Sequence, residues 1–199
     1  MLNYSHCARI GVVFCALFLA RCTLVYEIGP KVTNTGLIVT PASSYSTFKA
    51  RNLAQKYKDN LERVVAEVVR NPTTGKVQFA NNIASAGGVG FFAHSASTAV
   101  DERYLELIVA VPDVFDESMG LSSKIDRLLS EYGSELLVIL LKDSAIYGDP
   151  EVAGYGLNFS WRSLPQSPGG SQVIFERSVL YFKKDEARKF LDHKVAKEA

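Results

Sequence analysis

Residues 153–162 read Ala-Gly-Tyr-Gly-Leu-Asn-Phe-Ser-Trp-Arg, and this stretch decides the fold. Tyr155, Leu157, Phe159 and Trp161 fall on one side of an extended chain. Gly156, Asn158, Ser160 and Arg162 fall on the other. Strict alternation of this kind is the pattern of a strand with one face in the core. Gln172–Phe182 alternates as well, and the loop Leu164-Pro165-Gln166-Ser167-Pro168-Gly169-Gly170-Ser171 lies between the two. The pair reads as an antiparallel hairpin. The aromatic row reads as the core side of a sheet rather than as a platform for bases.

Working back toward the N-terminus, Leu121, Ile125, Leu128, Leu129, Tyr132, Leu136 and Leu140 form a helical stripe that begins near Ser118 or Leu121. Gly133 weakens a helix by about 1 kcal/mol relative to alanine and marks a bend or a break. Leu136–Leu141 is apolar all round, so periodicity leaves helix and strand equally open there. Tyr104–Val111 is apolar on both faces, as in a central strand, and Pro112 is expected to close it. Lys76–Ala80 and Gly88–Ala93 read as two further strands. A first helix is expected over Thr47–Arg70, capped by Ser46 or Thr47 and stopped by Asn71-Pro72. Its first half carries Lys49, Arg51, Lys56 and Lys58 with no acid, against the helix dipole. Asp185 opens a last helix. The expected fold is therefore α+β: an antiparallel sheet of about four to five strands, helices on one face, order α-β-β-α-β-β-α.

The remaining 44 residues set the organisation. Arg9 precedes an uncharged apolar run, Ile10–Ala20, too short to span a bilayer and of the length of a signal-peptide core. All three cysteines, Cys7, Cys15 and Cys22, fall in this region. Leu19-Ala20-Arg21-Cys22 resembles the lipobox of bacterial lipoproteins, in which the cysteine becomes the lipidated N-terminus. Arg21 departs from the small residue usual at that position. The expected organisation is a signal peptide over 1–21, a tether or extended spacer over 22–44, and one α+β domain over 45–199. Cys22 is the lipidation candidate. Cleavage before it removes Arg9 and Arg21, which turns the net charge from +1 to −1. So balanced a chain lacks the basic field of a nucleic-acid binder.

No catalytic residue, cofactor-binding residue or metal ligand is assigned. Gly88-Val89-Gly90-Phe91-Phe92-Ala93 has the letters of a dinucleotide turn, but the next strand follows too soon for the crossover helix. Asp113, Asp116 and Glu117 form an acidic group, which reads as a cap for the second helix with Ser118. His94 lies beside Ser95 and Ser97, without the geometry that adjacent residues would need for a nucleophile–base pair. His193 reads as solvated. The leading expectation is an exported, lipid-anchored or periplasmic, non-enzymatic protein. It would act in envelope assembly or as an accessory subunit, with the membrane and envelope proteins as partners and no nucleic acid. A small-ligand or lipid-binding module is the alternative. A hydrolase or metal-assisted enzyme using His94 with the Asp113–Glu117 acids is the third.

Overall fold

The computed structural model describes residues 23–24, 38–80, 88–94, 102–164 and 173–198. Cys22, Ser95, Ser97 and the Pro165–Gly170 loop lie outside the described residues. The strands are β1 (Thr23–Leu24), β2 (Gln78–Phe79), β3 (Val89–Ala93), β4 (Glu102–Asp116), β5 (Gly154–Leu164) and β6 (Ile174–Lys183). The helices are α1 (Phe48–Lys56), α2 (Lys58–Arg70), α3 (Leu121–Leu128), α4 (Ser134–Lys142), α5 (Ser144–Gly148) and α6 (Lys184–Glu198). They form an α+β fold around one sheet. Its strand order is β1-β6-β5-β4-β2, with β3 also paired to β4.

The hairpin read from 153–182 is present, with Tyr155 opposite Phe182 and Trp161 opposite Glu176. The sheet is not wholly antiparallel, however. β4 and β5 run parallel, Leu105 beside Tyr155 and Val109 beside Phe159. Parallel neighbours need a long crossover, and the helices α3–α5 supply it. The clue was the double-sided apolarity of Tyr104–Val111, which belongs to a strand flanked on both edges and covered on at least one face. β2 and β3 lie one after the other along the outer edge of β4, both antiparallel to it.

Pro112 does not close β4. The strand continues to Asp116, with its register to β5 shifting between Ala110 and Val114. A bulge is one of the few places where a sheet tolerates a residue without an N–H.

Among the described residues the helices pack on one face. That face carries Leu105, Leu107, Val109, Tyr155, Leu157 and Phe159, none with any exposed surface. The second helix of the sequence reading is one continuous run through α3 and α4, joined by a π-helical turn at Leu129–Gly133. Gly133 sits where the run approaches the sheet. A Cβ there would meet Leu129 Cδ2 at 2.7 Å and Leu157 Cδ1 at 3.5 Å. Leu136–Leu141 is helix, with Leu136, Leu137, Ile139 and Leu140 buried toward the sheet and its neighbouring helices and Val138 exposed.

The first helix breaks at Tyr57, whose backbone (φ −108°, ψ 17°) leaves the helical region. Its hydroxyl donates to Asp149 Oδ2 at 2.7 Å and lies 3.1 Å from the Ala145 carbonyl. Lys56 Nζ joins the same carboxylate oxygen at 2.8 Å. Burial raises the Asp149 pKa, but the Lys56 and Tyr57 hydrogen bonds outweigh it and hold the carboxyl down at about 2.

The acid missing from the start of α1 comes from the sheet. Thr47 caps the helix through its own side chain to the Ala50 N–H. Glu102 Oε2 then accepts from Thr47 N at 2.9 Å and Thr47 Oγ1 at 2.8 Å, and Oε1 accepts from Ser46 Oγ. A carboxylate at this end suits the dipole. Glu102→Ala is expected to lower stability by about 1–2 kcal/mol. The check is a lower urea midpoint at unchanged m-value.

Candidate functional site

Two polar centres are built into the sheet, one on each face. On the helix side, Lys124 of α3 reaches Glu176 of β6 (Nζ to Oε2, 2.6 Å) and Ser163 of β5 (3.2 Å). Trp161 Nε1 donates to the same Glu176 oxygen at 2.6 Å, and Ser163 Oγ also donates to it. Burial pushes the Glu176 carboxyl up, but the hydrogen bonds from Lys124, Ser163 and Trp161 prevail and hold it below its ordinary value. A lysine beside a serine invites a nucleophile–base reading. Here the serine has no exposed surface and the lysine 2 %. The lysine is already committed to a carboxylate, so the cluster fastens α3 to the hairpin.

At the opposite end of β5, Tyr155 carries the one buried side-chain polar atom without a hydrogen-bond partner among the described residues, its hydroxyl oxygen. An unmet buried hydroxyl brings no stabilisation, so Tyr155→Phe should leave stability unchanged or raise it by up to about 1 kcal/mol. Thermal and urea unfolding of the variant check this. A loss of about 1 kcal/mol or more would reveal a partner.

The other face has no helix over it among the described residues. At its centre, Glu106 of β4 lies in register with Gly90 of β3 and Gly156 of β5. Gly156 makes room for it. A Cβ on Gly156 would meet Glu106 Cγ at 2.9 Å. Gly156 is also in register with Tyr181 of β6. The Tyr181 hydroxyl donates to the Ala93 carbonyl at the end of β3 at 3.1 Å. Glu106 is only 2 % exposed.

Asn158 Nδ2 donates to Glu106 Oε1 at 2.6 Å, and Arg177 Nε donates to Asn158 Oδ1 at 2.6 Å. Burial pushes the Glu106 carboxyl up to about 7, against the Asn158 hydrogen bond, the Arg177 charge and the Tyr181 hydroxyl. A buried carboxyl that titrates near neutrality, beside a cation and a phenol, marks the most perturbed chemistry on this face. His94 closes the group at one side, its ring 4.3 Å from that of Tyr181 and 5.4 Å from that of Tyr104. At the other end of the face, Val114, Leu164 and Val173 are 40–49 % exposed.

His94 and the Asp113–Glu117 acids are not brought together. Ala93 pairs with Glu102 at the start of β4, and Asp113 stands eleven residues farther along. At about 3.3 Å per residue the separation is roughly 35 Å. Asp113 is committed elsewhere, to Arg127 at 3.1 Å and the Tyr132 hydroxyl at 2.5 Å. Asp116 does not cap α3. It accepts from the Ser118 N–H and hydroxyl in its own turn, and Gly120 stands at the helix start. Lys49 and Lys56, half of the basic set on the first helix, pair with Glu151 and Asp149. The Gly88–Ala93 stretch is β3, with no helix start at its glycines.

Among the described residues no three His, Cys, Asp or Glu side chains gather as a metal site, and no helix is long and apolar enough to cross a membrane. The sequence reading missed the Glu106 centre. Its one available signal was a lone acid inside an otherwise apolar strand, Leu105-Glu106-Leu107. Comparison of the chain with protein-family models, curated proteins and solved structures gives no match.

Proposed function

We propose that this chain is an exported, membrane-anchored α+β domain that works by binding, as an accessory subunit of an envelope assembly, and presents the helix-free face of its sheet. One observation carries the binding reading: the contrast between the two faces of one sheet. The helix side is filled with apolar side chains and a sealed ion pair. The opposite side, with no helix over it among the described residues, carries Glu106, Asn158, Arg177, His94 and two tyrosines. Evolution of a stable sheet alone has no use for a buried carboxyl that titrates near neutrality, since an apolar residue there would be cheaper to bury.

Export rests on Arg9 followed by Ile10–Ala20, and the anchor on Cys22. In cells fed a labelled fatty acid, the full chain is expected to carry the label and to sediment with membranes. Cys22→Ser is expected to lose the label and to shift toward the soluble fraction. Label retained in Cys22→Ser would remove Cys22 as the anchor. A wild-type chain without label in the cytoplasmic fraction would remove export as well.

A further inference from the structure

We infer that the Tyr181 hydroxyl is a two-position latch operated by the proton on Glu106: it holds the end of β3 through Ala93 when Glu106 is protonated and turns to Glu106 when Glu106 is charged. The inference is independent of what binds on this face.

A phenol has one proton to donate. Among the described residues Tyr181 faces the Ala93 carbonyl and the Glu106 carboxyl as acceptors. Ionised, Glu106 is acceptor-only, and a charge-assisted hydrogen bond outcompetes one to a neutral carbonyl. The phenol proton then goes to Glu106, and Ala93 loses its tie. Protonated, Glu106 has an O–H of its own to give. It donates to the Tyr181 oxygen, Tyr181 donates to Ala93, and the chain of hydrogen bonds is unbroken. No heavy atom need travel far, and one proton taken from or returned to water completes the balance.

The end of β3 is a place where such a tie matters. Its register to β4 shifts between Phe92 and Ala93, and Ala93–Glu102 is its last pair. His94 follows directly and rests on the Tyr181 ring. Among the described residues, the groups facing Glu106 come from three strands. From β5 they are Gly156 and Asn158, and from β6 Arg177 and Tyr181. From β3 comes Gly90, over which the Tyr45 hydroxyl lies, bonded to the Phe91 N–H. Tyr104 precedes Glu106 by two residues on its own strand. Arg177 and Asn158 stay in place in both states. His94 carries an imidazole against the Tyr181 ring, so the test must separate it from Glu106.

The experiment is amide hydrogen exchange of the full chain at about pH 5.5 and about pH 8, corrected for intrinsic rates. Protection at Phe92–His94 is read relative to the amides of β5, which removes any change in global stability. The wild type is expected to lose about threefold or more of this relative protection at the higher pH. Glu106→Gln should hold it constant, Tyr181→Phe should show the low value at both pH values, and His94→Gln should follow the wild type. No pH dependence in the wild type, a wild-type profile in Glu106→Gln, or a profile abolished by His94→Gln would overturn the latch. Should Glu106→Gln fail to fold, Tyr181→Phe decides: a surviving pH dependence there contradicts the inference.

Discussion

Lys124→Met should lower the stability of this protein by about 3–5 kcal/mol, the usual cost of leaving one partner of a buried ion pair alone. The reason lies in the four groups that meet beneath α3. Glu176 Oε2 accepts from Lys124, Trp161 and Ser163 at once. Methionine matches much of the lysine's volume, so the loss isolates the charge. The penalty should also depend on pH with a definite sign. The folded-state pKa of Glu176 lies below its ordinary value because hydrogen bonds override burial. Its contribution is present above the unfolded carboxyl pKa and is lost as pH falls through the folded one. Without Lys124 the carboxyl protonates more readily, so the penalty of the variant should shrink in acid. Lys124→Met combined with Glu176→Gln should recover much of the loss, because the amide oxygen still accepts from Trp161 and Ser163. Urea unfolding of the two variants across pH separates this from a plain packing defect, which would show neither the recovery nor the pH dependence.

The second large effect has the opposite sign. Burial raises the Glu106 carboxyl from 4.5 to about 7. The folded chain therefore binds the proton more tightly than the unfolded one between those values. The favourable contribution is fully present below about pH 4.5 and is lost as pH rises through about 7. The change amounts to on the order of 3 kcal/mol at 1.4 kcal/mol per unit. Glu106→Gln should thus be more stable than the wild type at about pH 8, lose that advantage in acid, and flatten the slope of stability between the two. Asp149, held down at about 2, works in the other direction and loses its contribution as pH falls toward that value. Together they place the stability maximum of the wild type on the acid side of neutrality. A wild-type stability that rose steadily from pH 5 to pH 8 would mean that Glu106 is not the dominant titrating group there.

The local patterns in the sequence carried most of the fold. Alternation at Tyr155–Trp161, the stripe Leu121–Leu140 and the stop at Asn71-Pro72 are short-range signals, and each element stands where they place it. What periodicity lacks is partner choice. Nothing in Tyr104–Val111 alone says that its neighbour is β5, in parallel, rather than a hairpin partner. The same limit hid the acid that stabilises the start of α1, Glu102, which stands 55 residues away. It hid the Glu106 centre too. Gly90, Gly156 and Tyr181 are ordinary residues in their own strands, and only strand register assembles them around a carboxyl. The burial of Lys124 is likewise set at a distance, by Ser163 and Glu176 on the far hairpin.

The central claim is that the helix-free face is the working surface, and site-specific photo-crosslinking in the intact cell tests it most directly. A photoreactive residue is placed at Ser160, half-buried on that face, and in a second variant at Val69, exposed on α2. The account predicts one protein captured reproducibly at Ser160, absent at Val69, and diminished when Arg177→Ala is added. Capture at Val69 with none at Ser160, or equal capture at both positions, would contradict it.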